Sequence, residues 1–374
     1  MNRFILAPDS FKGTMTADEV CDIWEAAILH YKPAAVIRRL PMADGGEGMV
    51  NAYLRVLGGE RFTACVSGPL GEPVDAEYGI LPNGTAVLEM AACAGLPLVG
   101  NTKDPLRATT YGVGELLRHI EKSGVQTALL GLGGSATNDC GIGMAAGLGY
   151  RFLDEHGNIL EPLAKNMTRI RRIERPTQPL TLTVNAACDV DNPLYGPHGA
   201  TYTFGRQKGA EGETLELLDT GLKNVAAVLK RDLGADIAAL PGAGAAGGLG
   251  AGVAAFLGGR LLPGIELLLD AAGFDDMLRD TDCVFTGEGR IDWQSAHGKV
   301  PVGISRRAKA QGVPVIALCG SIGDGMEAVY SEGITAVFSA VRTIADFEAI
   351  KKSSREDMRL LADAVMRLLC MERI

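Results

Sequence analysis

Both ends of this 374-residue chain alternate short apolar runs with amphipathic helical patterns, and roughly two hundred residues between them do not. That interruption constrains the fold strongly, because strand and helix alternation specifies a parallel sheet covered by helices, and an insertion must leave the sheet intact. Residues 4–7 form the first apolar run. Thr16-Ala17-Asp18-Glu19 then fits a capping box ahead of Val20, Ile23, Trp24, Ala27 and Ile28, and Pro33 closes the helix. Residues 36–40 predict a second strand, followed by an Asp-Gly-Gly-Glu-Gly loop at 44–48 and a helix that stops at Gly58-Gly59. From about residue 62 the pattern is mixed, with hairpin-like pieces around Asn83-Gly84. Clean alternation returns near residue 282, with strands expected at 283–286, 313–319 and 334–339. Two early and three late strands make the five of a flavodoxin-like doubly wound parallel sheet. The expected architecture is therefore α/β: a flavodoxin-like domain of residues 1–62 plus 265–374, split by an inserted mixed α/β domain of residues 63–264, with the active site in the cleft between them. No period of 20 to 50 residues points to a repeat fold.

Composition narrows the partners. With 47% hydrophobic and 22% charged residues and no low-complexity tail, the chain has material for folded cores throughout. A formal net charge of −9 repels polyanions, so nucleic acid is not an expected partner, and an anionic small molecule needs locally placed Lys and Arg. The eight cysteines form no Cys-x-x-Cys pair and the five histidines no cluster, which predicts a reducing cytoplasmic setting and no zinc site. Met1-Asn2-Arg3 leads straight into a strand-like run, without a signal-peptide pattern. The uncharged stretch 237–259 is dominated by Gly and Ala and contains Pro241, so no membrane span is expected. The sequence carries no signal for an oligomeric state.

Three strand ends share one kind of loop: FILAPDSFKG at 4–13, VIRRLPMADGGEG at 36–48 and CVFTGEGRID at 283–292. Ligands of open parallel sheets sit outside the carboxyl ends of strands, so these loops can bring carboxylates, a lysine and an arginine to one cleft. Those are the parts of a phosphoryl-transfer site, which works by positioning phosphates and metal ions. Lys12 precedes a capped helix, where an anion is favoured; it also reads as an ordinary surface lysine, and Asp9 and Ser10 as turn residues. Asp44 and Glu47, three apart among glycines, suit a metal or a hydroxyl, or equally a helix cap and first-turn acid. Arg290 suits a bidentate grip on a carboxylate, with Lys299 following. Glu288 and Asp292 line the same loop or merely pair with those two cations.

Within the insert, a strand at 127–132 runs into Gly133-Gly134-Ser135-Ala136-Thr137-Asn138-Asp139 and a small-residue helix at 141–148, a pattern that suits a nucleotide-phosphate cradle. A strand at 182–187 ends at Asp189, placed to accept a hydroxyl proton or bind magnesium, although Asn192-Pro193 makes a turn there regardless. Arg206 and Lys208 reach phosphates if their loop faces the cleft; a solvated loop fits the pattern as well. PGAGAAGGLG at 241–250 contains G-x-G-x-x-G without a suitable preceding strand, so tight helix packing or a nucleotide-facing loop explains Gly244 and Gly247 better than a dinucleotide fold does. No P-loop motif occurs. The carboxy-terminal stretch from Ser353 reads as a solvated amphipathic helix.

Taken together, APDSFKG at 7–13, MADGGEG at 42–48, GPLGE at 68–72, GGSATND at 133–139, ACDVDNPL at 187–194, PGAGAAGGLG at 241–250 and TGEGRIDWQS at 286–295 resemble the type 1 glycerate kinase family over nearly the whole chain. The resemblance implies ATP-dependent phosphorylation of D-glycerate at its 2-hydroxyl to give 2-phospho-D-glycerate. On that reading Lys12, Asp44 and Asp189 are catalytic, with Mg2+ on Asp44 and Asp189. Ser10, Glu288, Arg290, Asp292 and Lys299 bind the substrate, and Gly133, Gly134, Ser135, Asn138, Lys208, Gly244 and Gly247 bind the nucleotide. Departures from the family pattern are Thr14, Met49, Cys140 and Arg206, the last beside Lys208 where proline is usual. The rival readings are a kinase of a related hydroxy acid, a non-catalytic nucleotide or metabolite sensor, and a nicotinamide dehydrogenase that rests on the glycine motif alone.

Overall fold

The computed structural model describes residues 1–11, 13–42, 48–293, 295, 299–343 and 347–371. Lys12, Asp44 and Glu47 lie outside the described residues. The chain divides into two compact units, 1–56 with 265–374, and 57–264. A boundary at 62/63 would cut the strand Glu60–Ser67, which pairs along its whole length with Pro73–Ile80, so the strand belongs entirely to the second unit.

The first unit is a five-stranded parallel sheet in the order Ile334–Ser339, Val315–Cys319, Cys283–Gly287, Arg3–Pro8, Val36–Arg39. Counted along the unit, that is the 2-1-3-4-5 order of the flavodoxin-like fold, reversing between Arg3–Pro8 and Cys283–Gly287. Those two strands pair from Phe4 opposite Cys283 to Pro8 opposite Gly287, so their carboxyl ends are level. Cys283–Gly287 and Val315–Cys319 are buried on both faces, which is why they read as continuous apolar runs. The edge strand Val36–Arg39 is charged instead, with Arg38 paired to Asp280 at 2.6 Å and Arg39 to Asp22 at 2.8 Å, a composition that discourages further strand addition.

Helix Ala17–Tyr31 starts at the capping box read from sequence: the Glu19 N–H donates to Thr16 Oγ1 and the Thr16 N–H donates to Glu19 Oε2. It buries Val20, Cys21, Trp24 and Ile28 against the sheet and against Met358, Ala362, Val365 and Met366 of helix Phe347–Leu369. That last helix is thus part of the core, not merely a solvated surface helix; its apolar positions at spacings of three and four form one continuous stripe.

The second unit holds a six-stranded mixed sheet ordered Leu261–Leu262, Thr183–Ala187, Thr127–Gly131, Thr85–Glu89, Pro73–Ile80, Glu60–Ser67. The first four are parallel and the last two antiparallel, joined through the hairpin at Asn83-Gly84, where Gly84 takes φ +79°. As in the first unit, the parallel strands deliver their loops, 132–139 and 188–193, at one end of the sheet.

Candidate active site

In the first unit the site is built on the reversal of strand order. The Asp9 N–H donates to the Gly287 carbonyl at 2.8 Å and the Thr286 hydroxyl to the Ala7 carbonyl at 2.8 Å, which ties the two strand ends together. Ser10 follows with a buried hydroxyl that has no partner among the described residues, the state of a group held for something outside the fold. Beyond Gly287, Glu288 is 7% exposed; it accepts from the Ser295 hydroxyl at 2.6 Å and from Lys299 Nζ at 3.2 Å. Burial pushes its pKa up, against the opposing pull of Ser295 and Lys299. Lys299 occupies the N-cap position of helix Val300–Ala310, so its ammonium and the positive end of the helix dipole favour an anion at the same place. Arg290 and Ile291 pair with Ser321 and Ile322 in a two-stranded ladder, and the guanidinium, 63% exposed, donates from Nε to Asp292 at 3.2 Å. Ser10, Glu288, Arg290, Asp292 and Lys299 therefore all hang from adjacent strand ends of one sheet. Glu288 and Asp292 do pair with the two cations, and Glu288 does so in the interior, where holding a charge is costly.

The Glu288 geometry makes a prediction. A carboxyl whose pKa is raised in the fold ionises more readily in the unfolded chain. Its charge therefore subtracts stability above the folded-state pKa and has no effect below the ordinary glutamate value of 4.5. Glu288→Gln keeps an acceptor for Ser295 and removes that charge. The variant is expected to match or exceed the parent in denaturant titrations at pH 7, with the gap closing towards pH 4. Catalytic efficiency should fall about tenfold as Lys299 loses its ionic partner. A variant destabilised at pH 7 and improved by acid would refute this account.

In the second unit the loop after Thr127–Gly131 has an exposed and a buried half. Gly133 and Gly134 are exposed, their N–H groups have no partner among the described residues, and Gly134 takes φ +76°. A side chain at Gly133 would meet open space, so this is bare backbone facing outward, the form of an anion-binding nest. From Ser135 onward the loop is interior. Lys208 is 2% exposed and donates from Nζ to Ser135 Oγ and to the Thr137 carbonyl, 2.7 Å each. Burial lowers its pKa to about 7, with nearby Asp139 pulling the other way. Asn138 Nδ2 donates to Thr201 Oγ1 at 3.0 Å, while Asn138 Oδ1 and Thr137 Oγ1 are buried with no partner among the described residues.

Asn138, Lys208, Gly244 and Gly247, expected at the nucleotide, lie in the interior of the second unit. All four are buried: Lys208 and Gly247 lie against the loop that contains Asn138, the Asn138 side chain donates to Thr201, and Gly244 packs on the 192–193 loop. A Cβ on Gly247 would lie 2.0 Å from the Thr137 carbonyl oxygen, and one on Gly244 2.4 Å from that of Pro193. Helix Ala245–Leu257 begins with a left-handed turn at 246–248, and the Gly247 carbonyl accepts the Cys140 N–H at 3.1 Å. The glycine motif at 242–248 is thus a shelf under the 133–140 and 192–193 loops, and glycine is required because two backbones touch. Lys208 is neither solvated nor outward-facing; it is the strut beneath the glycine loop. Two supports went unread in the sequence. Asp139 is fully buried and accepts from the Thr110 N–H and hydroxyl at 2.8 Å each and from the N–H groups of Gly141 and Gly143, so it caps helix Ile142–Gly147. Its pKa is raised by burial against those four donors. Its place just before Gly141 was a cap signal; Thr110, 29 residues away, had none.

Asp189 is exposed just beyond Thr183–Ala187. Its Oδ1 accepts the Gly264 N–H at 2.9 Å, and Oδ2 has no partner among the described residues. Of the other two residues read as catalytic, Lys12 and Asp44, neither is among the described residues. No group of three or more His, Cys, Asp or Glu poised for a metal occurs among the described residues, and no described helix is long and apolar enough to cross a membrane.

The Glycerate kinase family model matches residues 4–370. A "Glycerate kinase" from Halalkalibacterium halodurans is 47% identical over 352 residues, 92% of each chain. The "Glycerate 2-kinase" of Escherichia coli is 42% identical over 347 residues, 91% of each. A crystal structure from Salmonella typhimurium LT2, provisionally assigned as glycerate kinase 2, superposes with a TM-score of 0.82 at 41% identity and covers 98% of both chains. Bare glycine N–H groups and paired cations and carboxylates at the carboxyl ends of parallel strands, on a chain matched from residue 4 to 370, place this protein in the glycerate kinase family, a family of kinases.

Proposed function

We propose that the protein transfers the γ-phosphoryl group of ATP to the 2-hydroxyl of D-glycerate, giving 2-phospho-D-glycerate and ADP. The observation that carries this reading is the pair of exposed glycines, Gly133 and Gly134, whose N–H groups have no partner among the described residues, since two such donors on bare backbone at the end of a parallel strand suit phosphate oxygens. In the other unit, Arg290 and Lys299 supply the positive charge that a small hydroxy acid requires. Arg290 is aimed by Asp292 and Lys299 by Glu288, with the unpartnered Ser10 hydroxyl at the neighbouring strand end.

In the reaction the 2-hydroxyl oxygen of glycerate forms a bond to the γ-phosphorus as the bond from that phosphorus to the β,γ-bridging oxygen breaks. The hydroxyl proton passes to a carboxylate, and ADP leaves with the bridging electron pair. Asp189, with Oδ2 unencumbered, and Asp44 are the carboxylates for that proton, with Lys12 as the further cation. Whichever of the two does not take the proton would hold Mg2+, which takes only one or two protein carboxylates alongside phosphate oxygens and waters; bound there, it would neutralise phosphate charge. Phosphorus NMR of the product from ATP and D-glycerate tests the reading. A new phosphomonoester signal split into a doublet by one proton is expected. A triplet would place the phosphate on the primary hydroxyl, and no new signal would refute phosphorylation of glycerate.

A further inference from the structure

A pocket of about 150 Å3 lies in the first unit at the same end of the sheet as Glu288 and Arg290, and it shares with that site only Ser321, the ladder partner of Arg290. Its floor is where three consecutive strands end: Gly289 follows Cys283–Gly287, Gly320 follows Val315–Cys319, and Ala340 follows Ile334–Ser339. Phe11 and Met15 form one wall, and the first turns of helix Phe347–Leu369, through Asp357, the other. The strand ends touch backbone to backbone, so that a Cβ on Gly320 would lie 2.5 Å from the Gly289 carbonyl oxygen. The floor N–H groups are spent on one another: Ser321 donates to the Gly289 carbonyl, Ala340 to that of Cys319 and Val341 to that of Gly320. The hydroxyls of Thr14 and Ser354 are bonded to backbone carbonyls within their own segments. What remains for a ligand is a largely apolar surface with the Ser321 hydroxyl and one acidic acceptor, Asp357. That carboxylate accepts from the Ser353 hydroxyl at 2.6 Å and lies 3.6 Å from Arg342, which leaves it further acceptor capacity.

This lining is wrong for glycerate or phosphate. Among the described lining residues there is no cation, and the one formal charge repels an anion. It suits a flat, neutral ring that carries an amino group. A cavity of about this volume takes one six-membered ring, and a purine whose amino-bearing ring enters first leaves its five-membered ring, and the sugar beyond, at the mouth. Position agrees with chemistry, because ligands of doubly wound sheets lie at the carboxyl ends of the strands. We propose that this pocket receives the adenine base of the nucleotide, with the exocyclic amine donating to Asp357; the inference rests on ATP being the phosphoryl donor.

Two substitutions test it. Ala340→Leu fills the floor, and Asp357→Asn keeps the volume while changing the acceptor into a group that can also donate to a guanine carbonyl. In steady-state assays Ala340→Leu is expected to raise the KM for ATP at least tenfold, with the KM for D-glycerate and the kcat at saturating ATP within twofold of the parent. Asp357→Asn is expected to reduce the preference for ATP over GTP by about tenfold. Should Ala340→Leu fail to fold by circular dichroism, the nucleotide preference of Asp357→Asn decides alone. An unchanged ATP KM in folded Ala340→Leu, or an unchanged ATP to GTP ratio in Asp357→Asn, overturns the pocket assignment while leaving the kinase reading standing. Failure of the parent protein to consume ATP with any hydroxy acid removes the donor assignment, and this inference with it.

Discussion

Asp189→Asn is expected to lower kcat about 100- to 10,000-fold, the range of a lost general base or an equivalent charged group in phosphoryl transfer, with the melting temperature unchanged within a degree or two. The structural reason for the unchanged stability is specific. Asp189 Oδ1 accepts the Gly264 N–H at 2.9 Å, and asparagine retains that oxygen and is as good at such a cap. What asparagine lacks is the ionised Oδ2, the part of the side chain with no partner among the described residues. Stopped-flow and steady-state measurement of ADP release, alongside a thermal melt, separate the two contributions. A variant with near-parental turnover would remove Asp189 from the chemistry and leave Asp44 as the proton acceptor.

The second large effect is expected at Lys208. Lys208→Met removes the strut beneath Gly133 and Gly134, orphans the buried Thr137 carbonyl and should cost about 100-fold in kcat/KM for ATP, with a much smaller change in the KM for glycerate. Its pH dependence is distinctive. Lysine ordinarily titrates at 10.5, and burial lowers Lys208 to about 7, so between those values the unfolded chain holds a proton that the folded one has released. Parental stability therefore gains from this residue as pH rises from 7 towards 10, and the gain is complete above 10.5 and absent below 7. The difference in unfolding free energy between parent and Lys208→Met should grow in the parent's favour from pH 7 to 9. A gap that is flat or shrinks with pH would show that Lys208 stays charged in the fold, held by Asp139. Because the ammonium lies under the anion nest, the KM for ATP should also rise with pH in the parent and be flat in the variant.

The two units differ in how much of their site could be read from residue patterns. Arg290, Glu288, Asp292 and Lys299 were legible because the loop that carries them follows an apolar run in a segment of twelve residues, and a strand end in a parallel sheet is where ligands go. That Glu288 is buried was not legible, since the same carboxylate beside the same lysine could equally sit on the surface; Ser295 and the packing around it decide the matter. Gly133 and Gly134 were legible as open backbone. The inward turn of Lys208 was not, because its two partners are 73 and 71 residues away in sequence and a lysine near glycines gives no sign of which way it faces. The G-x-G-x-x-G at 242–247 left two readings open, tight packing or a nucleotide-facing loop, because glycines that let a backbone approach a phosphate and glycines that let it approach another backbone spell the same motif.

Local physics thus carried a long way. Capping, periodicity and turn chemistry act over a few residues, so the helix capped by Thr16, the hairpin at Asn83-Gly84 and the five parallel strands were all implicit in the order of amino acids. Burial and pairing act between residues tens to hundreds of positions apart, and they alone settled that Lys208 is a strut, that Asp139 caps a helix, that the last helix completes the core beside Trp24, and that Asp357 lines a pocket of about 150 Å3. The reason is physical: the cost of placing a charge depends on what surrounds it, and its surroundings exist only once the chain has closed on itself.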